Sequence, residues 1–311
     1  MRWLSDGAVD HLRAVADRPD LAGTTYELAE PIARGGMGTV YRARDRRLDR
    51  DVALKVMNAP APAPAEIERM RNEARILARL EHPGIVPVHD LGTLPDGRLF
   101  YVMKLVRGRR LDEAMAEQPL HARLRPFGRI CDAVAFAHAQ GIVHRDLKPE
   151  NVMVGPFGEV LVLDWGIAKI LRGRAAGATA PLGSMEVLGT PGYMSPEQAR
   201  GESGLVDERA DVYALGALLR FLLSPKGEDG APRALVAICA HALAPRPDDR
   251  YASVTDLAAE VERFLAALPV HAYPEGPRER ARRLAAKYRT PLLLVAVYLL
   301  VRIVLALVAR V

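Results

Sequence analysis

Two cysteines in 311 residues, Cys131 and Cys239, leave no basis for a disulfide framework or for metal-ligand spacing. Both lie in apolar stretches that read as helix, which suits a reducing cytoplasm. The residues after Met1 are polar and charged with no apolar h-region, so no signal peptide is expected. The sequence contains no internal repeat. Low complexity is confined to Ala59-Pro60-Ala61-Pro62-Ala63-Pro64-Ala65, read as a short extended linker. The formal net charge is only +5, and the excess is local. Arg278, Arg280, Arg282, Arg283, Lys287 and Arg289 cluster against the single acid Glu279. A basic segment of that kind does not describe a nucleic-acid-binding body, and no nucleic-acid partner is expected.

What remains is a chain that is 50 % apolar and long enough for one large two-lobed domain or two ordinary ones. Its organising stretch is His144-Arg145-Asp146-Leu147-Lys148-Pro149-Glu150-Asn151. On a loop, this places an acid and an amide five residues apart with a cation between them. Asp146 can orient a hydroxyl nucleophile or accept its proton, Lys148 can neutralise charge on a moving phosphoryl group, and Asn151 can offer an oxygen to a metal ion. The apolar run Val160-Leu161-Val162-Leu163 reads as a strand and ends in Asp164-Trp165-Gly166, a second acid where a second metal contact could sit.

Upstream, residues 1–25 read as an extension with a short amphipathic helix, Leu4, Val9, Leu12 and Val15 lying at helical spacing. Ile32-Ala33-Arg34-Gly35-Gly36-Met37-Gly38-Thr39-Val40 is a glycine-rich turn between two strand-like runs, able to bring backbone N–H groups close to phosphate oxygens. Glycine-rich hairpins are common, so alone it is a weak signal. Val52-Ala53-Leu54-Lys55 reads as a strand ending in a lysine that needs an anionic partner. Residues 66–80 carry one apolar helical stripe through Ile67, Met70, Ala74 and Leu77. Glu73 on that helix can pair with Lys55 or, less informatively, with Arg69 four residues earlier. Two more strands are expected over 87–94 and 98–105, then helices over 111–117, 124–140 and 207–223.

In this order the motifs resemble those of eukaryotic-like (Hanks-type) serine/threonine protein kinases, most of all the bacterial membrane-anchored type. The octapeptide resembles their catalytic loop. Asp164-Trp165-Gly166 resembles D-F-G with Trp for Phe. Gly35, Gly38 and Val40 match the nucleotide loop, with Ala33 in place of its first glycine, and Ser195-Pro196-Glu197 stands for A-P-E. The resemblance implies an α+β, two-lobed kinase fold over residues 26–268, with a β-rich N-lobe at 26–106 and a helical C-lobe at 107–268. It implies ATP and Mg²⁺. Catalytic roles fall to Asp146, Lys148, Lys55 and Glu73, and metal binding to Asn151 and Asp164. ATP contacts fall to Ile32, Gly35, Gly36, Gly38, Val40, Ala53, Lys55, Met103, Lys104, Val106 and Met153, although Met103 is equally well described as core. Thr190 is expected to bond Asp146 and Lys148, Asp211 to hold the catalytic loop, and Arg250 to pair with Glu197. Arg145 implies control by phosphorylation of the activation segment, with Thr179 and Ser184 as candidates. Protein substrates bearing Ser or Thr are implied, and a homodimer would allow trans-autophosphorylation. Two other readings are a membrane-tethered pseudokinase scaffold, favoured by Ala33 and Trp165, and a kinase of small molecules.

Two regions depart from the pattern. Only a short polar loop fits between residues 223 and 232, where the family usually carries another helix and long loops, so a reduced docking surface is expected. After a basic juxtamembrane segment at 269–290, residues 291–309 are apolar except for Arg302. As a helix that stretch spans roughly 28 Å, close to the ~30 Å hydrocarbon core. A single-pass anchor in the cytoplasmic membrane, with the kinase domain in the cytoplasm, is expected from it and its flanking arginines. The alternative is a helix buried on protein, with Arg302 finding a partner there.

Overall fold

In the computed structural model the described residues are 18–35, 38–58, 62–166, 168–170, 189–202, 204, 206–223 and 230–308. The helix expected within residues 1–25, Gly36, Thr179, Ser184 and most of the 224–232 loop lie outside them.

The first layer is an antiparallel sheet of β1 (Tyr26–Arg34), β2 (Gly38–Asp45), β3 (Arg50–Met57), β4 (Val88–Thr93) and β5 (Leu99–Lys104), in the order β1-β2-β3-β5-β4. Its two faces follow from strand alternation. Val52, Leu54 and Val56 of β3 join Tyr26, Phe100 and Val102 in one small core. The intervening Ala53, Lys55 and Met57 face the other way, where Met57 and Tyr101 meet α1 (Pro64–Arg79). That helix starts at Pro64, whose missing N–H costs nothing in a first turn, and Glu66 Oε2 accepts the Ala63 N–H at 3.0 Å. Met70, Glu73, Ala74 and Leu77 form its buried face, at the i, i+3, i+4, i+7 spacing of a stripe laid on a sheet.

The second layer is helical. After β6 (Arg109–Arg110) and α2 (Leu111–Met115), α3 (Leu120–Ala139) runs through its centre. Leu124, Phe127, Ile130, Val134 and Ala137 of α3 are fully buried, each burial contributing about 1.5–3 kcal/mol for the larger side chains. The helix begins four residues before the sequence pattern suggested, because Pro119 sits at its N-cap and its carbonyl accepts the N–H groups of Ala122 and Arg123 at 2.9 and 3.1 Å. Gly141, at φ +73°, turns the chain out of it. Next come β7 (Ile142–Val143), β8 (Val152–Val154), β9 (Val160–Val162) and β10 (Lys169–Ile170). β6, β8 and β9 form one small sheet and β7 pairs with β10. These short ladders fix residues 144–151 and the segment after Val162, which carry most of the site.

Below lie α4 (Pro196–Ala199), α5 (Arg209–Leu223), α6 (Arg233–Ala242) and α7 (Val254–Leu265). α5 and α6 pack closely enough that a Cβ at Gly216 would stand 2.7 Å from Ala242 Cβ. Trp165, expected as an oddity, is completely buried and shares the core with Leu147, Val162 and Tyr101.

The chain ends in α8 (Pro277–Lys287) and α9 (Arg289–Val308). Arg283 Nε donates to Glu275 at 2.8 Å and its Nη1 to the Ala267 carbonyl at 2.9 Å, which ties α8 to the end of α7. Among the described residues no helix is long and apolar enough to cross a membrane, so the expected spanning helix is not met by them. The large apolar side chains from Leu293 to Leu305 that are described stand exposed.

Candidate active site

Between the layers, two groups of side chains converge. The first lies under the five-stranded sheet. Val40 of β2 pairs with Lys55 of β3, and Lys55 pairs in turn with Tyr101 of β5. Lys55 Nζ sits 2.7 Å from Glu73 Oε1, with the glutamate side chain 1 % exposed. Glu73 thus meets Lys55, one of the two partners that its sequence position allows. Ala53 and Met103 are also cross-strand partners, while Lys104 N donates to Pro87 O at 3.1 Å. Lys104 is exposed and Val106 half-buried, as is Met153 on β8.

The glycine-rich turn closes with Gly35 N donating to Gly38 O at 2.9 Å. Asn58, at the end of β3, spans that turn: its Nδ2 donates to Gly35 O at 2.9 Å and its Oδ1 accepts from Thr39 Oγ1 at 2.7 Å. Ala33 does not sit in the bend. It pairs with Val40 in the β1–β2 ladder, where an alanine fits as well as a glycine. Ile32 beside it is 52 % exposed.

The second group is the loop 144–151. Asp146 Oδ1 accepts from Thr190 Oγ1 at 2.8 Å, and Lys148 Nζ stands 3.0 Å from Asp146 Oδ2 and 2.7 Å from Thr190 Oγ1. Asn151 Nδ2 donates to the Asp146 carbonyl at 2.8 Å and to its Oδ2 at 3.2 Å. Those bonds use the amide nitrogen and point Asn151 Oδ1 elsewhere. The Leu163 N–H donates to Asn151 O at 2.8 Å, which brings Asp164 alongside. Asp164 is exposed in the left-handed region at φ +57°. An amide oxygen and a carboxylate are hard donors, of the kind Mg²⁺ takes together with substrate phosphates, so this pair fits that ion.

The loop is held from below. Asp211 Oδ2 accepts the His144 N–H and Oδ1 the Arg145 N–H, at 2.8 and 2.9 Å. His138 Nε2 lies 2.8 Å from Asp211 Oδ2. Burial opposes ionisation of Asp211, yet these contacts keep its carboxyl below the usual range. Arg145 takes the left-handed conformation at φ +74°, and Gln198 Nε2 donates to its carbonyl at 2.8 Å. Burial lowers the Arg145 guanidinium, whose Nε has no hydrogen-bond partner among the described residues. His144 packs against Trp165 with ring centroids 4.5 Å apart. Glu197 and Arg250 form a two-bond pair, both contacts 2.8 Å.

The residues that sequence reasoning missed are Asn58, Tyr101, His138 and Gln198. Tyr101 could have been noticed, since strand alternation from Met103 puts it on the same face. The others are single polar residues in helices or strand ends, with no motif to mark them.

The protein kinase domain family matches residues 26–227. Serine/threonine-protein kinase PknL of Mycobacterium tuberculosis (strain ATCC 25618 / H37Rv) is 36 % identical over 302 residues, covering 87 % of this chain and 73 % of that protein. Serine/threonine-protein kinase PknB of Mycolicibacterium smegmatis is 39 % identical over 277 residues, covering 79 % of this chain but only 44 % of that protein. PknB of Mycobacterium tuberculosis (strain ATCC 25618 / H37Rv) is 37 % identical over 292 residues, again with less than half of its length covered (45 %). None of these favours the pseudokinase reading. The chain belongs to the protein kinase domain family, as a eukaryotic-like (Hanks-type) serine/threonine protein kinase.

Proposed function

We propose that phosphoryl transfer in this kinase is run by the cluster at Asp146. The observation that carries the reading is the closed set Asp146–Thr190–Lys148–Asn151, bonded at 2.7 to 3.2 Å. An incoming serine or threonine hydroxyl replaces Thr190 as the donor to Asp146, which orients it and takes its proton as the new O–P bond forms and the bond from the γ-phosphorus of ATP to the bridging oxygen breaks, releasing ADP. Lys148 lies where it neutralises charge on the moving group. Gly35, Gly36 and Gly38 cover the phosphates of ATP, and Lys55, held by Glu73, grips them. Ile32, Val40, Ala53, Met103 and Met153, with the Lys104–Val106 backbone, would hold the base. Asn151 and Asp164 would hold Mg²⁺, which would supply charge neutralisation to the phosphates.

The test is Mg²⁺-dependent transfer of labelled phosphate by the full chain in detergent, beside Asp146→Asn, with sites located by mass spectrometry. Loss of at least ~10²-fold in the variant is expected, the usual contribution of a positioned acid–base group. Equal incorporation by both proteins would remove Asp146 from the reaction. Mixing Asp146→Asn with active enzyme tests transfer between two copies: phosphate on the inactive chain supports the trans reaction.

A second part of the proposal is attachment to the cytoplasmic membrane through α9, with the lobes on the cytoplasmic side. It is supported by the exposed apolar side chains of α9 and by the arginine-rich α8 on its N-terminal side. Flotation with vesicles should separate the full chain from one ending at Pro274, and co-flotation of both or neither refutes it.

A further inference from the structure

The Lys55–Glu73 pair has a third member. Tyr101 is directly opposite Lys55 in the β3–β5 ladder, so both side chains leave the sheet on the face that α1 covers. The Tyr101 hydroxyl donates to Glu73 Oε1 at 2.8 Å, the same oxygen that Lys55 Nζ meets at 2.7 Å. Lys55 Nζ also lies 5.7 Å from the Tyr101 ring centroid, within reach of the ring's negative face. Glu73 Oε2 is buried and has no hydrogen-bond partner among the described residues. Burial, and next the Glu73 charge, push the Tyr101 phenol well above its ordinary value, so it stays a donor at any physiological pH.

We propose that Tyr101 is a positioning residue for ATP: it fixes Glu73 from β5, and through Glu73 sets where Lys55 stands. The physical need is clear. When Lys55 turns toward an anionic phosphate, its ammonium is shared, and a buried carboxylate with one fewer donor is costly. A hydroxyl on the sheet keeps one bond to Glu73 whatever Lys55 does. It also ties α1, whose link to β3 runs through the alanine–proline linker, to β5, the neighbour of β3 in the sheet. Tyr101 touches neither phosphate nor acceptor; it acts through Glu73.

The inference rests on the reading of Lys55 as the phosphate-gripping residue, and the experiment separates the two. ATP affinity is measured by calorimetry with Mg²⁺ for the wild-type chain, Tyr101→Phe, Glu73→Gln, the double variant and Lys55→Met. Phenylalanine keeps the ring and its packing, and melting curves on the same samples confirm that each protein folds. Tyr101→Phe is expected to weaken ATP binding and lower kcat/KM by about tenfold, the scale of one hydrogen bond to a charged group. In the Glu73→Gln background the same change should matter less than twofold, since its route is gone. Hydrogen exchange gives a second reading: amides of α1 should exchange faster in Tyr101→Phe than in wild type. ATP binding by Tyr101→Phe within twofold of wild type would overturn the proposal, as would an equal loss in both backgrounds. Undiminished binding by Lys55→Met would overturn the underlying reading, and the inference with it.

Discussion

Arg250→Met should destabilise the folded chain by about 3–5 kcal/mol, the cost of stranding a buried carboxylate without its cation. The side chains of Arg250 and Glu197 are 0 % and 2 % exposed. Arg250 Nη1 and Nη2 each reach a separate oxygen of Glu197, and the guanidinium also donates to the carbonyls of Ala244, Arg209 and Pro245. One side chain thus joins α4, the start of α5 and the loop after α6. Methionine matches its reach but supplies no donor, so the carboxylate and three carbonyls lose partners together. Against the ~5–15 kcal/mol that holds a typical domain folded, the loss is about a fifth or more. Urea unfolding at pH 7 measures it. A loss under about 1 kcal/mol would refute the view that this pair anchors the lobe.

The same pair has a pH signature. Burial opposes ionisation of Glu197, but the Arg250 bonds hold its carboxyl below the ordinary 4.5. A depressed folded-state pKa means that the stabilisation is complete above the unfolded value and is lost as pH falls through the folded one. In Arg250→Met the burial that favours the neutral acid is opposed only by a backbone hydrogen bond and Ser195. The stability gap between wild type and variant should therefore narrow as pH drops from 7 to below about 4. A gap independent of pH would show that the loss is one of packing rather than charge.

Thr190→Val removes the hydroxyl that bridges Asp146 and Lys148. Transfer should fall by about tenfold with little change in melting temperature, and Thr190→Ser should recover most of it. Gly38→Ala should be harmful, because its Cβ would stand 2.6 Å from the Val56 carbonyl oxygen, whereas at Gly35 the nearest atom is 3.6 Å away. A loss of about 1–3 kcal/mol is expected for the first and far less for the second, read by thermal melting. Asn58→Ala should raise the KM for ATP several-fold while sparing kcat, since it releases the glycine-rich turn without touching the Asp146 cluster.

Most of the second cluster was legible because its members are close in sequence. Asp146, Lys148 and Asn151 share one loop, and a loop of charged residues before an apolar strand has few chemical uses. Thr190, Asp211 and Arg250 lie far away in the chain, but each sits in a run that resembles a known pattern. The sheet layer was legible through alternation, which sorts Val52, Leu54 and Val56 from Ala53, Lys55 and Met57 before any coordinate is known. The start of α3 was misplaced because an apolar stripe says nothing about the polar first turn that Pro119 opens.

Tyr101 shows where such reading stops. Its sequence neighbours describe a buried strand, and a tyrosine in a buried strand is ordinary. What gives the residue a role is the register of β3 against β5, which seats it opposite Lys55 rather than one position away. A shift of one residue would turn the hydroxyl to the opposite face of the sheet. The register is set by the whole five-stranded ladder, not by the residues around Tyr101. The same holds for Trp165: the substitution is visible in the sequence, but its accommodation depends on His144, whose tilted ring packs 4.5 Å away from another loop. Local motifs name the groups that touch phosphate, and the residues that hold those groups in place emerge only where two distant strands or loops are brought into register.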